Sequence, residues 1–192
     1  MQNLIKELRE LTGAGILEIK EALQESNNNK EKAVEILRKK GALKLGKKTE
    51  RATKQGVVES YIHPGSRVGV LLELNCETDF VARTNDFKTL AKELCLQIAA
   101  ANPLYVAIEN IPQEVVEKEK EIYKEQAKGK PEDAANKMVE GKLEKYYQEI
   151  CLLEQPYVKN PDIKVKDLIA EAVSKIGENI QVRRFSRFVL GS

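Results

Sequence analysis

Three stretches hold side chains whose types and spacing could do chemistry. They are Cys76 with His63, the basic run from Arg38 to Lys54, and the segment ELNCETDFVAR from Glu73 to Arg83. A cysteine beside a histidine could act as nucleophile and general base. Cys76 reads better as a space-filling residue beside a strand end, because cysteine is commonly buried. His63 by itself reads as a polar residue flanking a turn. With one histidine in the chain, a multi-histidine metal site within it is excluded. The spacings G-x-S-x-G, G-x-x-x-x-G-K-S/T and G-x-G-x-x-G are absent. No catalytic residue, metal or cofactor is therefore expected, and a binding protein is the better reading than an enzyme.

The basic run carries eight Lys and Arg against one acid, Glu50. It could contact phosphates. No aromatic residues interleave it and no RNA-recognition motif is visible, so a solvated linker is expected rather than a specific nucleic-acid site. ELNCETDFVAR is harder to explain away. Thr78 suits the N-cap of a short helical turn and Asp79 suits its first turn. Phe80 and Val81 then fall in a connection, and connections are usually exposed. On residue types alone, Phe80 is either an apolar wedge for a partner, with Asp79 beside it, or a ring folded back onto the core.

The elements that must position these residues follow from periodicity. Leu4, Ile5, Leu8 and Leu11, then Ile16, Ile19 and Leu23, then Ala33, Val34 and Leu37 mark three short helices. Thr12 to Gly15 separates the first two, Asn29 caps the third, and Lys39, Lys40 and Gly41 suit its end. A domain over residues 1–41, a basic linker over 42–55 and a core over 56–192 are expected. In the core, Gly56 to His63 and the alternating Val68, Val70, Leu72 and Leu74 make a hairpin. Phe87, Leu90, Ala91, Leu94 and Ile98 form the apolar face of a helix ended by Asn102 and Pro103. Residues 112–150 read as a projecting helical hairpin with Pro112 and Pro131 at first helical positions. Val165, Leu168, Ile169, Ala172, Val173 and Ile176 face one side of a further helix stopped by Gly177. Asn179 to Leu190 is a last strand. The class is α+β, with a three-stranded antiparallel sheet packed by helices.

Composition agrees with this reading. The chain of 192 residues is 32% charged and 42% apolar, with a net charge of +2. That charge is small for a dedicated nucleic-acid or membrane binder, and no apolar run approaches the roughly 20 residues of a membrane span. The first residues form an amphipathic helix pattern without a signal-peptide core. Cys76, Cys95 and Cys151 are odd in number and form no C-x-x-C pair, which fits a reducing, cytoplasmic setting.

LRELTGAGILEIKEAL (Leu8 to Leu23) and ELNCETDFVAR resemble the two signature segments of the bacterial and organellar elongation factor Ts family. The likeness extends to RKKG (Arg38 to Gly41), KMVEGKLEKYYQEICLLEQPYV (Lys137 to Val158) and IGENIQVRRF (Ile176 to Phe185), so it covers essentially the whole chain. The resemblance implies a guanine-nucleotide exchange factor for the translational GTPase elongation factor Tu. It implies that the three-helix module is similar to ubiquitin-associated domains and docks on the partner's G domain through residues 8–41. It further implies that Thr78, Asp79, Phe80 and Val81 enter the Mg²⁺ and phosphate region, with Ile176 and Gly177 near the nucleotide-binding loop. SYIH (Ser60 to His63) fits the family's histidine after a Ser-Tyr strand, which makes His63 a partner contact. Longer members contain two related core halves and this chain contains one; compact members form symmetric homodimers, and a homodimer is expected here. The other readings are a ubiquitin-associated-like adaptor and a translation-linked RNA-binding protein.

Overall fold

The structure, a computed structural model, describes residues 2–12, 14–37 and 51–191. Three helices open the chain: α1 (Gln2–Thr12), α2 (Ile16–Glu25) and α3 over residues 30–37. Thr12 closes α1 by turning its hydroxyl back onto the Leu8 carbonyl at 2.6 Å. Asn27 and Asn28 both take positive φ between α2 and α3, a conformation that asparagine tolerates better than most residues. The Asn29 side chain then accepts the Lys32 N–H at 3.0 Å, the expected N-cap. Leu8, Ile19, Ala22, Leu23, Ala33 and Leu37 form the buried centre, with Leu4, Ile5 and Val34 packed against it. Leu11 and Ile16, counted by their spacing with the apolar faces, are instead 60% and 49% exposed, and Leu17 is 71% exposed. They sit at the helix ends beside the turn, beyond the reach of so small a centre. The expected helix end at Lys39, Lys40 and Gly41, and linker residues 42–50, lie outside the described residues.

The sheet has the order β1-β2-β5, built from β1 (Gln55–Ile62), β2 (Val68–Cys76) and β5 (Ile180–Val189). It is antiparallel, and the class is α+β as expected. β1 and β2 are joined through His63, whose N–H donates to the Val68 carbonyl at 2.9 Å. On β2, Val70, Leu72, Leu74 and Cys76 are buried, which is the period of two that the sequence displays. Gly56 is required on β1: a Cβ there would lie 2.1 Å from the Leu74 carbonyl oxygen.

After α4 (Asp79–Ala82) comes α5 (Asn85–Ala101), which buries Phe87, Leu90, Ala91, Leu94 and Ile98. Asn102, at φ 49°, turns the chain out of α5 ahead of Pro103. The hairpin is α6 (Gln113–Gln126) and α7 (Glu132–Ile150). Pro112 and Pro131 are N-caps with extended ψ, one position before the first helical residues expected of them. Val139 and Leu143 of α7 pack with Ala127 and Tyr123, while α6 buries none of its residues. One pair of strands was not expected: β3 (Pro156–Tyr157) and β4 (Asn160–Lys164), paired antiparallel. They are two and five residues long and contain Pro156 and Pro161, so they carry little strand signature. α8 (Val165–Ile176) follows, and Gly177, at φ 92°, ends it with its N–H on the Val173 carbonyl at 2.9 Å.

The described chain divides into two compact units. One comprises residues 1–58, 73–91 and 167–182; the other comprises 59–72, 92–166 and 183–192. The second is organised around Gln97, which is fully buried and fully bonded. Its amide donates to the Gln155 side chain and the Pro156 carbonyl, and its oxygen accepts the Val158 N–H at 2.8 Å. Among the described residues, no helix is long and apolar enough to cross a membrane.

Candidate functional site

In the first unit, β2 ends at Cys76 and the chain must turn into α4. Thr78 takes extended backbone angles, and its hydroxyl accepts the Val81 N–H at 3.4 Å, so it caps α4 as its residue type suggests. Asp79 lies in the first turn and pairs with Arg83 at 2.7 Å. Ala82 and Phe87 face inward. Phe80 does not: it is 78% exposed, while Val81 is half-buried. The ring therefore does not fold back onto the core, where Phe87 is buried instead.

The same unit brings this turn against the loop after α8. The Glu178 carboxylate accepts the Glu77 N–H at 3.1 Å, the Thr78 N–H at 3.0 Å and the Thr78 hydroxyl at 2.6 Å. In return the Glu77 carboxylate accepts the Asn179 N–H at 2.7 Å, with Arg51 at 3.5 Å. Asn179 is 1% exposed and donates its side-chain amide to the Arg51 carbonyl at 2.8 Å. Ile176 is half-buried and Gly177 exposed, immediately before this pairing. Of the residues singled out in the sequence, Thr78, Asp79, Phe80, Val81, Ile176 and Gly177 therefore share one unit, and their two segments are hydrogen-bonded through their neighbours.

His63 belongs to the second unit, exposed at the hairpin turn, with its Nδ1 3.0 Å from the Tyr61 hydroxyl. All three cysteines are free and buried. Burial, followed by the charge of Glu178, pushes the Cys76 thiol up to about 11, and its Sγ donates to the Thr78 carbonyl at 3.1 Å. Burial likewise pushes Cys95 up to about 12 and Cys151 up to about 11. A thiol held neutral in this way is a poor nucleophile. Among the described residues no group of three or more His, Cys, Asp and Glu could hold a metal ion. An open hollow of ≈ 420 Å³ in the second unit, lined by Ala101, Gln155, Tyr157, Val158 and Pro161 among others, contains none of the residues singled out.

Glu77, Glu178, Asn179 and Arg51 carry no sequence signal of this role. Glu178 and Asn179 lie directly after Ile176 and Gly177, but a carboxylate that binds backbone N–H groups a hundred residues away leaves no local period to read.

The whole chain, residues 1–192, matches the family model described as Elongation factor TS. It is similar to elongation factor Ts of Carboxydothermus hydrogenoformans, with 59% identity over 98% of this chain and 88% of that protein. The protein of the same name from Thermotoga petrophila is 59% identical over 98% of this chain and 95% of its own length. That of Heliobacterium modesticaldum is 58% identical, again over 98% of this chain and 88% of its own.

Proposed function

The chain belongs to the elongation factor Ts family, a family of translation elongation, and from that premise we propose that it binds the GTPase elongation factor Tu and promotes release of its GDP. The observation that carries this reading is Phe80, 78% exposed on a capped turn whose neighbours are fixed to the Ile176–Gly177 loop. An exposed aromatic ring on a fixed base is what a binding anchor requires. Phe80 enters an apolar groove of the partner's G domain and displaces the elements that place Mg²⁺. Asp79 and Thr78 rearrange polar contacts there, Val81 lines the wedge, and Ile176 and Gly177 press on the phosphate loop.

No bond chemistry is needed for this. A factor that binds the nucleotide-free partner more tightly than the GDP-bound partner weakens GDP by the same ratio, because the two affinities are linked. Only the difference between the two affinities shifts the equilibrium. Residues 1–41 serve as the docking module, residues 42–55 as the linker and residues 56–192 as the core. Exposed Leu11, Ile16 and Leu17 support a docking role for the module, since each is apolar and open to a partner.

His63 acts from a second copy of the chain. In the second unit Ile62, Leu71 and Phe188 are exposed strand residues. Ile62 lies over Gly69, which shares the strand face of Leu71, so the apolar side chains form a surface suited to self-association. A symmetric homodimer would place one copy's His63 with the other's Asp79 and Phe80 on the partner. Release of fluorescent GDP from elongation factor Tu, with this chain and with its Phe80→Ala variant, tests the proposal.

A further inference from the structure

We propose that Glu178 is a positioning residue, answered from the facing loop by Glu77, and that the two lock the Thr78–Phe80 turn to the Ile176–Gly177 loop as one preformed surface. This rests on the reading of those segments as the exchange contacts.

Two loops, a hundred residues apart in sequence, exchange carboxylates. Glu178 takes two backbone N–H groups and one hydroxyl from Glu77 and Thr78, while Glu77 takes the backbone N–H of Asn179. These bonds carry a charge on the acceptor, which makes them roughly twice as strong as neutral ones. Asn179 is buried beneath them and reaches the Arg51 carbonyl, so the base of the arrangement is anchored. The tips are bare: Phe80 and Gly177 are exposed. A stiff base under bare tips removes the cost of ordering two loops on binding, which is how preorganisation raises affinity. A further bridge near these loops, Lys175 to Asp86 at 2.9 Å, joins two exposed side chains and adds little.

The test uses the full chain. Stimulated GDP release from elongation factor Tu is measured against factor concentration, and amide hydrogen exchange is followed at Glu77 and Thr78 of the free factor. Glu178→Ala is expected to raise the half-saturating concentration about 10-fold, to keep the rate at saturation within about 2-fold, and to speed amide exchange at both residues. Glu178→Gln, which retains one oxygen acceptor but not the charge, is expected to recover part of the loss. A folded Glu178→Ala protein with wild-type half-saturation overturns the proposal. Should Glu178→Ala fail to fold, Glu77→Ala cuts only the bonds to Asn179 and Arg51. It is expected to raise half-saturation by about 3-fold, and no rise overturns the proposal. If the wild-type chain does not accelerate release at all, the exchange reading fails instead. The latch is then judged by amide protection alone, and an unprotected Thr78 amide overturns it.

Discussion

Asp79 and Arg83 form an ion pair at 2.7 Å across one turn of α4, and both side chains are open to solvent, 46% and 76% exposed. An exposed pair of this kind contributes about 0–1 kcal/mol. A partner can therefore take over the Asp79 carboxylate at little cost to the fold. Asp79→Asn should lower unfolding stability by about 0.5 kcal/mol or less while slowing stimulated GDP release several-fold. Denaturant unfolding beside nucleotide release checks this. A variant that loses stability and activity together would make Asp79 a structural residue.

The cysteines should be silent in exchange. With its thiol pushed up to about 11, Cys76 is roughly one part in a thousand thiolate at pH 8. Cys76→Ser should keep wild-type exchange, and a chromogenic thiol reagent should label the native protein slowly at all three cysteines and rapidly once it is unfolded. Fast native labelling of Cys76, or loss of exchange in Cys76→Ser, would revive a nucleophile there.

Light scattering should give a mass of about twice the 21.6 kDa chain. Leu71→Lys should convert that species to a monomer by placing a charge on the exposed apolar strand face, and exchange should weaken with it. A wild-type monomer that accelerates exchange fully would remove His63 of a second copy from the account.

Much of the fold is legible in local patterns. Phe87, Leu90, Ala91, Leu94 and Ile98 announce α5 because a helix repeats its buried face every turn, and β2 announces itself by alternation. What is not local is not legible. Phe80 stands in solvent while Phe87 is buried, and residue type alone does not say which of the two rings goes inward. The bonds from Glu178 to Thr78 join points a hundred residues apart. Leu11 and Ile16 fit a helical stripe yet lie exposed, because spacing specifies a face and not whether the small centre of the module extends far enough to cover it. β3 and β4 are too short and too rich in proline to show a period.

Acid should loosen the second unit through Glu154. Burial would raise its carboxyl, but the hydrogen bonds from Lys166 and Lys164, at 2.9 Å each, together with the charges of the two lysines outweigh burial and hold it below the ordinary value. A carboxyl depressed in the folded state stabilises the fold above its unfolded value, and that contribution is lost as pH falls through the folded one. Glu154→Gln should lower the thermal midpoint at neutral pH and flatten its decline on the acid side. Curves that stay parallel to wild type down to acid pH would show that Glu154 carries none of this dependence.

The proposed exchange depends on Phe80. Fluorescent GDP is loaded on elongation factor Tu and its release is followed against excess unlabelled nucleotide. The wild-type chain should accelerate release in a saturable way. Phe80→Ala should fold with stability within about 0.5 kcal/mol of wild type, because its ring is exposed. It should also forfeit about 2 kcal/mol or more of the anchor's contribution, roughly a 30-fold loss at sub-saturating factor. Release that is no faster with the wild-type chain, or equally fast with Phe80→Ala, would contradict the account.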